Sequence, residues 1–226
     1  LNCERFGLFS DLDGTLVPIV QDPRQAILAP AIKNALSILV DRLEVVAIVS
    51  GRPVASLREL VNVDKLIYIG NHGFESTVIG ANIIADEPYL VRELLKKLSL
   101  KVQQLHLDGL YVEDKGMSIG IHYGLVEEPY ETRKVVLALL HSECQASDLL
   151  FTEGKKVLDV KPRGVMDKGK ALKEVVRQCG LTGAFFLGDD NIDVDAFKTI
   201  HDLADTNELV KGFAVAITDE ETPGTV

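Results

Sequence analysis

The sequence predicts an α/β fold, a doubly wound parallel sheet interrupted by an inserted α+β cap domain. Two observations predict the sheet. Short apolar runs at Phe6 to Phe9, Val45 to Val49, Leu66 to Ile69 and Ala184 to Leu187 alternate with stretches of helical spacing. Each run ends in small or polar residues, at Ser10-Asp11, Ser50-Gly51, Gly70-Asn71 and Gly188-Asp189. A third observation predicts the insertion, since the middle of the chain reads helix, hairpin, helix, hairpin. The boundaries drawn from this change are core 1–84, cap 85–160 and core 161–226.

The elements follow in order. Phe6 to Phe9 reads as a buried strand that delivers Asp11 at its C-terminal end. Ile32, Leu36, Leu39 and Val40 carry helical spacing, with Pro30 at the start, where a missing N–H is tolerated. Val45 to Val49 is a second buried strand, Val54 to Leu60 a helix, and Leu66 to Ile69 a third strand ending in Gly70-Asn71-His72-Gly73. Tyr89 to Leu105 is a charged amphipathic helix. A hairpin joins Leu110–Glu113 to Met117–Tyr123 around Asp114-Lys115-Gly116. Pro129 to Cys144 is another amphipathic helix, and a second hairpin joins Leu149–Thr152 to Lys156–Val160. Beyond Pro162 the alternation resumes: a helix at Lys168 to Gln178 closed by Cys179-Gly180, a strand at Ala184 to Leu187, a short helix at Asp193 to Thr199, and a last strand at Phe213 to Ile217. Strands separated by helices pair in parallel through crossovers, and such sheets bind ligands beyond their C-terminal ends.

Bulk properties bound the function. The chain has 226 residues, 46% apolar and 26% charged, which is ordinary globular composition. No apolar run approaches the roughly 18 residues of a membrane span, and the first residues lack a signal-peptide pattern. Cys3, Cys144 and Cys179 share no metal-ligand spacing and read as reduced thiols of a cytoplasmic protein. A formal charge of −10 argues against nonspecific nucleic-acid binding. It also requires that any anionic substrate meet locally concentrated cations.

Asp11 and Asp13 stand just beyond the first strand, and Gly14 lets the chain turn there. Two carboxylates held close can divide labour, one as nucleophile or metal ligand, the other as acid and base. On its own such a turn is an ordinary loop. Gly188-Asp189-Asp190, followed by Asp193 and Asp195, puts more acids at a helix start than a cap requires. A hard divalent cation resolves their repulsion, and Mg²⁺ is the usual one when phosphate is the substrate. Ser50 with Gly51 offers a hydroxyl and backbone N–H groups suited to phosphate. Lys168 opens a helix, where the dipole disfavours a cation unless an anion lies nearby.

The order Asp11-Leu12-Asp13-Gly14-Thr15, Ser50, Lys168, Gly188-Asp189-Asp190 resembles the haloacid dehalogenase superfamily of phosphatases. More narrowly, six stretches resemble trehalose-6-phosphate phosphatases: Ile48 to Pro53, Asn71-His72-Gly73, Val112 to Ser118, His122-Tyr123, Lys168 to Leu172 and Leu187 to Asp190. The resemblance implies an aspartyl-phosphate on Asp11, acid–base work by Asp13, and Mg²⁺ held by Asp11, the backbone carbonyl of Asp13, and Asp189. Asp190 and Asp193 are expected to orient metal-bound water or Lys168. Ser50, Gly51 and Lys168 would hold the phosphoryl group. Arg52, Asn71, His72 and Gly73 would line the core side of the site, and Glu113 and Lys115 would meet sugar hydroxyls from the cap. A sugar phosphate is the implied substrate, with a functional link to a trehalose-phosphate synthase.

The sequence departs from the family pattern at Ile192, Val194, Gly124 and Lys161, and the pattern runs on past Gly224 into a further strand and helix. Another sugar phosphate as substrate, or binding without turnover, remain the competing expectations.

Overall fold

The computed structural model describes residues 5–20, 22–78, 88–154, 156–163, 166–189 and 191–217. The chain divides into two compact units, Leu1–Ile83 with Met166–Val226, and Ile84–Val165.

In the first unit, β1 (Phe6–Ser10), β2 (Val45–Val49), β3 (Ile67–Gly70), β4 (Glu75–Ser76), β9 (Gly183–Gly188) and β10 (Lys211–Ala216) form one sheet in the order β10-β9-β1-β2-β3-β4. All its pairings are parallel except the short β3–β4 contact. Parallel strands require crossovers, and here these are helices: α1 (Pro30–Leu39), α2 (Val54–Val61), α5 (Lys168–Gln178) and α6 (Val194–Asp205). Every residue of β2 is buried, as a central parallel strand covered on both faces requires. Leu36 of α1 and Leu57 and Val61 of α2 pack with Val46, Ile48, Leu12 and Tyr68. Phe186 of β9 meets Phe197 of α6 edge-on at 5.5 Å.

Several local signals fix the helix ends. Pro30 occupies the first turn of α1, and the Asp167 side chain caps α5 by accepting from the Lys170 N–H at 2.7 Å. Asn62 ends α2 in the left-handed region. The two-residue β4 was not foreseen; it is too short to carry a periodic signal.

The second unit places α3 (Pro88–Gln103) and α4 (Pro129–Gln145) on one face of an antiparallel sheet. Its strands are β5 (Tyr111–Asp114), β6 (Ile119–His122), β7 (Leu149–Gly154) and β8 (Val157–Pro162), in the order β5-β6-β8-β7. Ile119, Ile121, Leu158 and Val160 alternate inward and pack with Leu95, Leu98, Val136 and Leu140 of the helices. The intervening residues leave a polar face. Glu113 lies opposite Gly120, and Gly120 opposite Asp159. Among the described residues, no helix is long and apolar enough to cross a membrane.

Candidate active site

The parallel strands deliver their chemistry at their C-terminal ends. Asp11 follows β1, and its N–H donates to the Leu187 carbonyl at 2.8 Å, so the last rung of the β1–β9 ladder fixes it. Asp189 follows β9. Asp193 ends the 3-10 turn Asn191–Asp193, and its Oδ2 accepts from the Asp189 N–H at 3.0 Å. One carboxylate oxygen from each of Asp11, Asp189 and Asp193 lies within 4.8 Å of the others. Lys168, at the start of α5, donates from Nζ to Asp11 Oδ1 at 2.6 Å and to Asp193 Oδ1 at 2.7 Å.

Asp11, Asp193 and Lys168 are buried, while Asp189 is half-buried and keeps the cluster in reach of solvent. Burial pushes the Asp11 carboxyl up to about 7, against the pull of Lys168; the charges of Asp193 and Asp13 add to the push. Burial alone would lower the Lys168 ammonium, but Asp11 and Asp193 outweigh it and hold it above its ordinary range. Three carboxylates against one ammonium leave excess negative charge. Metal–oxygen bonds of about 2.0–2.6 Å let donors spaced like these share one hard divalent ion. The residues present therefore fit a divalent cation, and the ion would offset the cost of their burial. Thr15 Oγ1 donates to Asp189 Oδ1 at 3.4 Å, a contact the sequence reading did not identify.

Asp13 is placed differently. Its carboxylate is gripped by Arg52, with Nε donating to Oδ2 at 2.7 Å and Nη2 to Oδ1 at 2.6 Å. The metal expectation for Asp13 concerns its backbone carbonyl, which this side-chain pair does not engage. Ser50 is buried, and its Oγ accepts from the Arg52 N–H at 3.1 Å. The His72 ring lies over Gly51, where an added Cβ would come within 2.7 Å of its Cε1.

Asn71, His72 and Gly73 form a turn with φ values of 53°, 56° and 104°. Left-handed conformations at two non-glycine residues cost energy, and backbone ties hold them in place. The Asn71 N–H donates to the Arg52 carbonyl at 2.8 Å, and the His72 N–H to the Ser50 carbonyl at 3.0 Å. Glu75 completes the brace: its Oε1 accepts from Asn71 Nδ2 at 3.3 Å and its Oε2 from the Val54 N–H at 2.8 Å. Gly73 is required by packing as well as by its φ, because a Cβ there would meet Met166 Cγ at 2.8 Å and Ala171 Cβ at 2.9 Å.

On the second unit's polar face, Lys115 Nζ donates to Asp159 Oδ1 at 2.7 Å and stands 3.8 Å from Glu113 Oε2. Gly120, lacking a side chain, lies beneath that reach; a Cβ there would be 3.2 Å from Lys115 Nζ. His122 Nε2 pairs with Glu113 Oε2 at 2.9 Å, and the His122 ring stacks on Tyr111 at 4.5 Å. Burial would raise the Glu113 carboxyl, but the His122 hydrogen bond and the Lys115 charge outweigh it and leave it below the usual range.

Asp159 was missed as the partner of Lys115. Its signal was present, a lone acid inside the apolar strand Val157 to Val160. Glu75 was missed because its role depends on a turn that periodicity does not show. Asp190 lies outside the described residues.

Comparison with known proteins now bears on this site. Residues 9–224 match the family model described as trehalose-phosphatase. A trehalose-phosphate phosphatase of Mycobacterium bovis is 33% identical over 85% of this chain and 51% of its own length. The C-terminal domain of the Candida albicans trehalose-6-phosphate phosphatase superposes with a TM-score of 0.80 at 22% identity, covering 90% of this chain and 76% of that one. A haloacid dehalogenase-like hydrolase from Bacteroides thetaiotaomicron superposes with a TM-score of 0.59 at 16% identity, covering 87% and 86%. The two superpositions bear out the α/β fold class read from the sequence. The chain spans 63% or less of the length of the curated relatives it matches. A family model covering nearly the whole chain and a relative of this identity decide the matter: the chain belongs to the trehalose-phosphatase family.

Proposed function

We propose that this chain hydrolyses trehalose 6-phosphate to trehalose and phosphate through an aspartyl-phosphate on Asp11. The observation that carries the reading is the contact of Lys168 with both Asp11 and Asp193 beside Asp189. It gathers three carboxylates and an ammonium at one sheet edge, which supports reading them as nucleophile, metal ligands and phosphate-binding cation.

In the first step an Asp11 carboxylate oxygen bonds to phosphorus and the phosphorus–sugar oxygen bond breaks. The leaving oxygen takes a proton from Asp13. In the second step a water oxygen bonds to the same phosphorus, the Asp11 oxygen–phosphorus bond breaks, and the water proton passes to Asp13. Asp13 thereby regains what it gave. Lys168 and the Ser50 hydroxyl hold phosphoryl oxygens, with Gly51 giving the phosphate close access to backbone. Asp11, the Asp13 carbonyl and Asp189 would hold Mg²⁺, with Asp193 orienting Lys168. The ion supplies positive charge that lets an anionic nucleophile approach an anionic phosphate. Glu113 and Lys115 serve sugar recognition, and Asn71, His72 and Gly73 shape the core side of the site. Free thiols at Cys144 and Cys179 support a cytoplasmic location, where a trehalose-phosphate synthase would supply the substrate.

The test is phosphate release from a panel of trehalose 6-phosphate, sucrose phosphate and mannosyl-3-phosphoglycerate, with Mg²⁺ and with excess chelator. Release from trehalose 6-phosphate should dominate and should vanish reversibly on chelation. Preference for another member would reassign the substrate, and tight binding without release would make the chain a sensor.

A further inference from the structure

We propose that Arg52 is a positioning residue for Asp13 rather than a contact for the substrate. The inference rests on the acid–base role given to Asp13 above and adds what sets that carboxylate. Two parallel N–H···O bonds of 2.7 and 2.6 Å make a planar fork. Such a fork fixes the rotation of the carboxylate as well as its place, which a single donor does not, and it uses one acceptor site on each oxygen, leaving the other for the proton Asp13 carries.

Arg52 is itself built in. Its Nη1 donates to the Pro23 carbonyl at 2.9 Å. Its backbone N–H is tied to Ser50 Oγ, and its carbonyl to the Asn71 N–H. Its side chain is 12% exposed, against 35% for Asp13. The backbone around Asp13 is held separately, by the Leu16 and Val17 N–H groups on the Leu12 carbonyl. The fork thus supplies what the turn does not, the orientation of the side chain. To grip a phosphate with the same fork, Arg52 would have to release Asp13, so the two roles compete.

Leaving-group dependence separates them. A sugar alkoxide requires a proton to depart, whereas p-nitrophenolate departs unaided. The full-length chain, its Arg52→Ala, Arg52→Lys and Asp13→Asn variants and the Arg52→Ala/Asp13→Asn double variant are compared in rapid-quench experiments. These read the first turnover with trehalose 6-phosphate and with p-nitrophenyl phosphate. Reading only the first turnover keeps the water step, which also uses Asp13, out of the comparison.

Arg52→Ala should slow first-turnover release of sugar about 100-fold. It should leave first-turnover p-nitrophenolate release and KM nearly unchanged. Arg52→Lys should recover part of the loss. Adding Arg52→Ala to Asp13→Asn should cost nothing further, because both act through one group. A raised KM with kcat held, equal losses on the two substrates, or additive losses in the double variant would overturn the proposal. Unimpaired sugar release by Asp13→Asn would overturn the acid role of Asp13 itself, and the proposal with it. Should Arg52→Ala lower the melting temperature, Arg52→Lys carries the same comparison in a folded protein.

Discussion

Gly14 adopts φ +92°, and a Cβ there would stand 1.9 Å from Asp189 Oδ2. Both the turn after Asp13 and the approach of the second acidic loop depend on its missing side chain. Gly14→Ala should therefore destabilise the protein by about 1–3 kcal/mol. It should also abolish the rise in melting temperature expected when Mg²⁺ binds only the folded site. A variant that melts and responds to Mg²⁺ like the wild type would refute this. At this scale the sequence was most legible where residue type alone constrains chemistry. Asp11, Lys168 and Asp189 were singled out by type and position, and the structure brings them together with Asp193. Arg52 was expected beside the substrate, and its pairing with Asp13 was not foreseen, because the two are 39 positions apart and are brought together by the β1–β2 pairing.

The elements convert spacing into contact. In the second unit, register sets Glu113, Gly120 and Asp159 in a row across β5, β6 and β8, and Lys115 lies along it. Hairpins were readable from turn residues, but the β6–β8 pairing that makes Asp159 a partner was not, since α4 and β7 intervene. The same sheet carries a further carboxylate, Glu153, held below the usual range by Arg133. Just beyond β6, Tyr123 is pushed up to about 12 by burial and by Glu153.

The folded state holds fewer protons on Glu113 and Glu153 than the unfolded chain near their ordinary value of 4.5, so their stabilisation is present above it and is lost as pH falls through the depressed folded values. Tyr123 keeps its proton when folded, so stability also falls as pH rises from its ordinary value of 10.0 toward about 12. Arg133→Gln should weaken the acid-side loss. Thermal melts across pH check this, and an unchanged acid limb would contradict it.

For the whole molecule, a formal charge of −10 and the anionic substrate proposed above are reconciled by location. Lys168 is buried against Asp11 at the sheet edge, and the acidic cluster there fits a divalent cation. Surface average and site potential are separate quantities. The architecture was legible because parallel strands and their crossovers leave strong periodic signals, and the insertion because its order of elements differs. The strained turn at Asn71 to Gly73 and the two-residue β4 beside it were not, since both depend on tertiary ties through Glu75 and the Arg52 carbonyl.

The central claim is that Asp11 becomes covalently phosphorylated. The most direct measurement is acid quenching during turnover of trehalose 6-phosphate, borohydride reduction of any acyl phosphate, and mass spectrometry of the peptides. The account predicts that residue 11 is recovered as homoserine, and that Asp11→Asn gives neither this product nor phosphate release. Reduction at another carboxylate, or continued phosphate release with residue 11 unmodified throughout, would contradict it.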